Sequence, residues 1–147
     1  MVKLETTPER LVEATERVNQ EQKQTLVRHV SAHFGEDLHG LRLAVWGLAF
    51  KPNTNDMREA PSRTVITELL RRGAALSVFD PVAMPEAQRA LAADLGHPLS
   101  DCHALRFVDM PMEALRGADA LLVVTEWKCF QNPDFSSMKQ RMRSPVI

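Results

Sequence analysis

Hydrophobic positions along this chain follow two periods that alternate. From Leu11 the residues Leu11, Thr15, Val18, Gln22, Leu26, Val30 and Phe34 recur at three- and four-residue spacing, which is one face of a helix, and Gly35 is a natural stop. Thr6 and Glu9 have the spacing of a capping box at its start. A helix of that span measures roughly 40 Å at 1.5 Å per residue. It reads either as an ordinary amphipathic core helix or as one that also packs on something outside the domain. Leu41, Leu43, Ala44, Val45 and Trp46 then form a nearly unbroken apolar run, the mark of a strand covered on both faces, and Gly47 ends it.

The alternation continues. Val65, Ile66, Leu69 and Leu70 line a helix that starts near Ala60 or Pro61 and closes at Arg71, Arg72 and Gly73. Ala75 to Phe79 reads as the second strand, and Pro85 to Leu95 as a helix stopped by Gly96. His97 to Asp101 is loop, Leu105 to Val108 a short strand, and Pro111 to Leu115 a helical turn ended by Gly117. Ala120 to Val124 is a second fully apolar strand, Asn132 and Pro133 start a last helix reaching about Met142, and Pro145 to Ile147 begin another strand. Strands separated by helices predict an α/β fold: a doubly wound, mostly parallel sheet of Rossmann-like type with helices on both faces, preceded by the long helix. Residues 1–39 are assigned to the end of a helical region and residues 40–147 to the α/β domain.

Composition narrows the class. The chain has 147 residues, enough for one domain with a real core, and 44% hydrophobic with 25% charged residues is ordinary for a globular protein. A net charge of −1 offers no footprint for nucleic acid or an anionic membrane, and no apolar run approaches the ~20 residues of a membrane span. Cys102 and Cys129 form neither a framework nor a CxxC pair, so a reduced, cytoplasmic setting is expected.

Candidate chemistry concentrates between the first strand and the next helix. The loop after Gly47 holds Phe50, Lys51, Asn53, Thr54, Asn55, Asp56, Arg58 and Glu59. A polar loop at the carboxyl edge of an open α/β sheet is where such folds meet ligands. Lys51 is a flexible point charge suited to a phosphate or a sugar hydroxyl, and Arg58 is a planar fork able to hold two phosphate oxygens. Phe50 can stack on a base or wall it off. Asn53, Thr54, Asn55 and Asp56 either bind hydroxyls or knit the loop through side-chain-to-backbone bonds. Asp80, before Pro81, is read as a turn former or cap ahead of the alternative, a ribose-binding acid. Thr125, Glu126 and Trp127 stand where a ligand can again be met. No GxGxxG occurs, so a self-sufficient dinucleotide site is not expected. His29 and His33 have metal-ligand spacing but no third ligand, and a solvated helix face is preferred to a metal site. Cys102 beside His103 reads as an ordinary thiol, as does Cys129.

The stretch GLAFKPNTNDMREAPS, Gly47 to Ser62, resembles the opening of the C-terminal domain of the UDP-glucose 6-dehydrogenases, a branch of the nucleotide-sugar dehydrogenase family. FDPVAM at Phe79–Met84, GADALLVVTEW at Gly117–Trp127 and SPVI at Ser144–Ile147 match it in order and spacing. The resemblance implies NAD-dependent oxidation of C6 of UDP-glucose to UDP-glucuronate, with this chain supplying the UDP-sugar-binding domain. It implies that Phe50 and Lys51 contact the UDP-sugar and that Arg58 reaches NAD, which is bound mainly by a domain absent here. It also implies a homodimer for the complete protein; the long helix, whose length exceeds what the domain needs for its own cover, is the element expected to mediate self-association. Met57 before the arginine favours UDP-glucose over GDP-mannose. The alternatives are another nucleotide-sugar dehydrogenase, acting on UDP-N-acetylmannosamine or GDP-mannose, and a non-catalytic nucleotide-binding or assembly module. The Cys-Phe-Pro-Lys-Asp setting of the family's nucleophile does not occur, nor does the FDGR-type segment that follows in similar proteins. The chain is therefore expected to be a fragment, inactive alone, with no catalytic residue and no metal of its own.

Overall fold

The computed structural model describes residues 20–143. Its elements are helix α1 (Gln20–Phe34), strand β1 (Arg42–Trp46), helix α2 (Pro61–Arg71), strand β2 (Ala75–Phe79), helix α3 (Met84–Leu95), strand β3 (Leu105–Phe107), the short helix α4 (Pro111–Ala114), strand β4 (Ala120–Val123) and helix α5 (Phe135–Arg141). The four strands form one sheet in the order β3-β2-β1-β4, every pair parallel. Trp46 stands level with Phe79 on one side and Val123 on the other, so the carboxyl ends of β1, β2 and β4 share one edge.

The doubly wound reading is correct. The chain steps outward from β1 to β3, then returns across β1 to β4. Right-handed crossovers therefore put α2 and α3 on one face and α4 on the other. Contacts agree: α2 packs on α1 and α3, while α4 lies on β1 and β2. As the central strand β1 is covered on both faces, Leu43, Ala44, Val45 and Trp46 are each at most 3% exposed. That is why its sequence lacks alternation. Two devices close the α1–α2 side. Leu26, Val27 and Val30 are buried, and Val30 alone is worth roughly 2 kcal/mol of apolar burial. Arg72 bonds Glu68 one turn back and the Ser31 hydroxyl on α1.

Several element boundaries have visible causes. Pro61 opens α2, as the sequence predicts, and Gly96 closes α3 in the left-handed conformation at φ 75°. The last helix departs from expectation. It starts at Phe135 rather than Asn132, because Asp134 is the cap, accepting bonds from the Ser137 backbone N–H at 3.3 Å and its hydroxyl at 2.8 Å. A 3-10 turn at Lys128–Phe130, which periodicity did not reveal, brings Phe130 into a stack on Trp46 with ring centroids 5.0 Å apart. The Thr6–Glu9 capping box, the start of the long helix and the strand at Pro145–Ile147 lie outside the described residues.

Gly47 is the tightest point. Its φ is 90°, and a Cβ there would lie 2.4 Å from the Thr125 carbonyl oxygen. Gly47→Ala is accordingly expected to cost about 2–4 kcal/mol through backbone strain and overpacking together, read as a lowered urea midpoint. Glu68 is a contributor to acid stability among the described residues. Bonds from Arg71, then Arg72, hold the Glu68 carboxyl down at about 2 from its ordinary 4.5. Folding is thus favoured by this group above pH ~4.5, and the contribution disappears as pH falls toward about 2. Glu68→Gln should flatten the acid side of a stability–pH profile by less than about 1 kcal/mol, given its partly solvated position.

Candidate functional site

β1 and β4 are neighbours although the chain visits β2 and β3 between them, so the sheet's topological switch point lies between their carboxyl ends. The segment leaving β1 at that point, residues 47–60, is the loop in which the sequence concentrates its candidate residues.

The first part of the segment is buried and immobilised. Leu48 and Ala49 are wholly inaccessible, and Gly47 N–H donates to the Phe79 carbonyl at 2.8 Å. Leu48 N–H and Ala49 N–H both donate to Asp80 Oδ2, at 2.8 and 3.1 Å. The same oxygen accepts from the Trp127 indole at 3.1 Å, while Asp80 Oδ1 accepts from Val82 N–H at 2.9 Å and Ala83 N–H at 2.7 Å. Asp80 is 1% exposed. It is the turn former of the two readings, and more: its oxygens are fully engaged by protein donors, leaving none for a ribose. Thr125 and Trp127 are also buried, the first donating to the Ala49 carbonyl, so they face the interior rather than a ligand.

The second part is exposed and charged. Phe50 is half-buried against the core, and its N–H donates to the Asp56 carbonyl oxygen at 2.8 Å. Lys51 is exposed and has no hydrogen-bond or ion-pair partner among the described residues. Arg58 has its side chain 90% exposed and grips Asp56 with two bonds, Nε to Oδ1 at 3.1 Å and Nη2 to Oδ2 at 3.0 Å. Those bonds, with one from the Arg58 backbone N–H, hold the Asp56 carboxyl below the usual range, and the Lys51 charge adds to the effect. The three predicted residues are therefore gathered around Asp56. The loop-knitting reading also holds: Thr54 Oγ1 accepts from Asp56 N–H, and Asp56 Oδ1 accepts from Arg58 N–H. Asn55 bonds Glu86 on α3 instead, at 3.1 Å. Arg58 and Asn55 line an open cleft of about 660 Å³ against α3, which Phe50 and Lys51 do not line.

This chemistry suits an anion bearing paired oxygens. Water screens an exposed Arg–Asp pair, so little opposes exchange of the Asp56 carboxylate for another anion. A phosphate offers the same two-oxygen face to the guanidinium. Residues 44–147 match the UDP-glucose/GDP-mannose dehydrogenase family, UDP binding domain. The chain belongs to that family. It is 40% identical to UDP-glucose 6-dehydrogenase of Pseudomonas aeruginosa over 93% of its own length and 29% of that protein. With the enzyme of the same name from Rhizobium meliloti it shares 39% identity over 96% of its length and 30% of the relative. Among solved structures it resembles a UDP-glucose dehydrogenase from Pyrobaculum islandicum, with TM-score 0.67 and 28% identity, covering 88% of this chain and 30% of that one. The chain thus spans about 30% of the length of the relatives it matches.

Within the UDP binding domain, Ser62 is the residue that reading the sequence overlooked. It is buried and donates to the Leu48 carbonyl at 2.5 Å. Its signal was present: Ser62, Val65, Ile66 and Leu69 share one face of α2, and a hydroxyl on an apolar face needs a partner. Replacing Asp80 by Asn should strand several buried N–H donors and cost about 3 kcal/mol or more, measured by urea denaturation with Trp127 fluorescence as the local probe.

Proposed function

We propose that this chain is the UDP-sugar-binding part of an NAD-dependent UDP-glucose 6-dehydrogenase, which oxidises UDP-glucose to UDP-glucuronate. The observation that carries the reading is the pair of cations, Lys51 and Arg58, flanking one exchangeable carboxylate at the switch-point edge of a family UDP binding domain. Phe50 and Lys51 meet the UDP-sugar: the ring walls the site, and the ammonium, free of any described ion-pair partner, binds phosphate or sugar oxygens. Arg58 turns from Asp56 to an anionic group of NAD. NAD, when bound to the complete enzyme, supplies the hydride acceptor.

Most of the NAD site and the reaction's nucleophile belong to the rest of the enzyme. Gly47 is backed against Thr125 and no glycine-rich turn follows β1, so this chain offers NAD little beyond the Arg58 fork. Cys102 is half-buried, and the thiol of Cys129 is pushed up by burial, the opposite of what an attacking thiolate needs. The chain alone is accordingly inactive. No helix of the described residues is long and apolar enough to cross a membrane. The homodimer and the cytoplasmic setting belong to the same proposal for the complete protein and rest on family membership.

An amide NMR titration of this chain with UDP-glucose, UDP and GDP-mannose tests the assignment. Expected are shifts clustered at residues 50–58 with the uridine ligands and not with GDP-mannose. Lys51→Ala should weaken UDP-glucose binding about tenfold, the worth of one charge-assisted bond, without moving the urea midpoint. Unchanged affinity removes Lys51 from the site; shifts with GDP-mannose alone favour the other branch of the family.

A further inference from the structure

The two peptides that precede Phe50 have an unusual hydrogen-bonding arrangement. Leu48 and Ala49 lie beyond the end of β1, and all four of their backbone polar atoms are taken by buried side chains. Asp80 accepts from both N–H groups, Ser62 donates to the Leu48 carbonyl, and Thr125 donates to the Ala49 carbonyl. These three side chains come from the ends of β2, α2 and β4, which are separate segments brought together only by the parallel sheet. The flanking amides are fixed by backbone instead, Gly47 to Phe79 and Phe50 to Asp56, both at 2.8 Å.

Packing alone does not demand these groups. Ser62 is fully buried and Thr125 is 4% exposed, so Ala and Val would fill the same spaces. Their hydroxyls answer the carbonyls of an extended segment that has left the sheet ladder and joined no helix. Immediately after it come the half-buried Phe50 and the exposed Lys51, held by no ladder of their own. A charged side chain on a four-carbon stem is directed by where its Cα stands, and displacement of about 1 Å in a binding group is enough to cost affinity.

We propose that Ser62 and Thr125, acting with Asp80, are positioning residues that fix the backbone beneath Phe50 and Lys51 and thereby set the affinity of the site for a uridine diphosphate group. The proposal rests on the nucleotide-sugar reading above and extends it to residues that touch no ligand. Each hydroxyl acts through the peptide it holds.

The experiment compares Thr125→Val, Thr125→Ser and Ser62→Ala in this chain by amide hydrogen exchange and by titration with UDP. Thr125→Val should lower the protection of the Phe50 N–H at least tenfold more than that of the β1 and β2 amides, and weaken UDP binding at least fivefold. Thr125→Ser, which keeps the donor, should restore both to within twofold. Ser62→Ala should reproduce the Thr125→Val pattern from a different segment and serves if the valine variant fails to fold. Native protection at Phe50 in both hydroxyl-less variants overturns the proposal. So does loosened protection with unchanged UDP affinity. If the unsubstituted chain takes no UDP, the nucleotide reading falls, and the protection measurement alone decides whether the hydroxyls hold the segment.

Discussion

The Asp80 carboxylate organises the edge of the sheet that carries the candidate loop. Burying an ionisable oxygen pair is costly unless donors replace the lost water, and here the backbone of residues 48, 49, 82 and 83 and the indole of Trp127 do so. The consequence is geometric. One side chain at the end of β2 ties the exit of β1, the turn into α3 and the segment after β4 to a single point. Gly47 completes the arrangement, because only a residue without a side chain lets the exit of β1 lie against Thr125.

Rigid and exchangeable parts of the site are thereby separated within a few residues. At Leu48 and Ala49 every backbone polar group is buried and bonded. From Lys51 onward the charges are exposed, and Arg58 is held only by a surface pair to Asp56 whose strength water limits. A binding site benefits from both properties: a fixed base that carries little ordering cost, and cations whose resting partner a ligand can displace. Their division explains why the loop is rich in polar residues while the segment before it reads as apolar as the strand.

Much of this was legible in the residues. The β1 and β2 runs, the Pro61 start of α2, the Gly96 stop and the Lys51–Arg58 concentration all follow from periods and turn chemistry, which act between neighbours in the chain. The start of α5 differs from the expected Asn132 because the cap is whichever side chain finds the Ser137 amide, and that is Asp134. Thr125 and Trp127 follow a buried strand, a place where a ligand can be met, yet both turn inward. Their actual partners, Ala49 and Asp80, lie 76 and 47 residues away in the chain.

Local sequence by itself determined the order of strands and helices, the parallel α/β class and the identity of the charged loop, since periodicity, proline, glycine and side-chain charge need no distant partner. Tertiary structure alone decided the strand order that puts β4 beside β1 and the inward fate of Asp80, Thr125 and Trp127. Those depend on which buried donor meets which acceptor, and that is settled only when segments far apart in the chain are packed together and water is excluded between them.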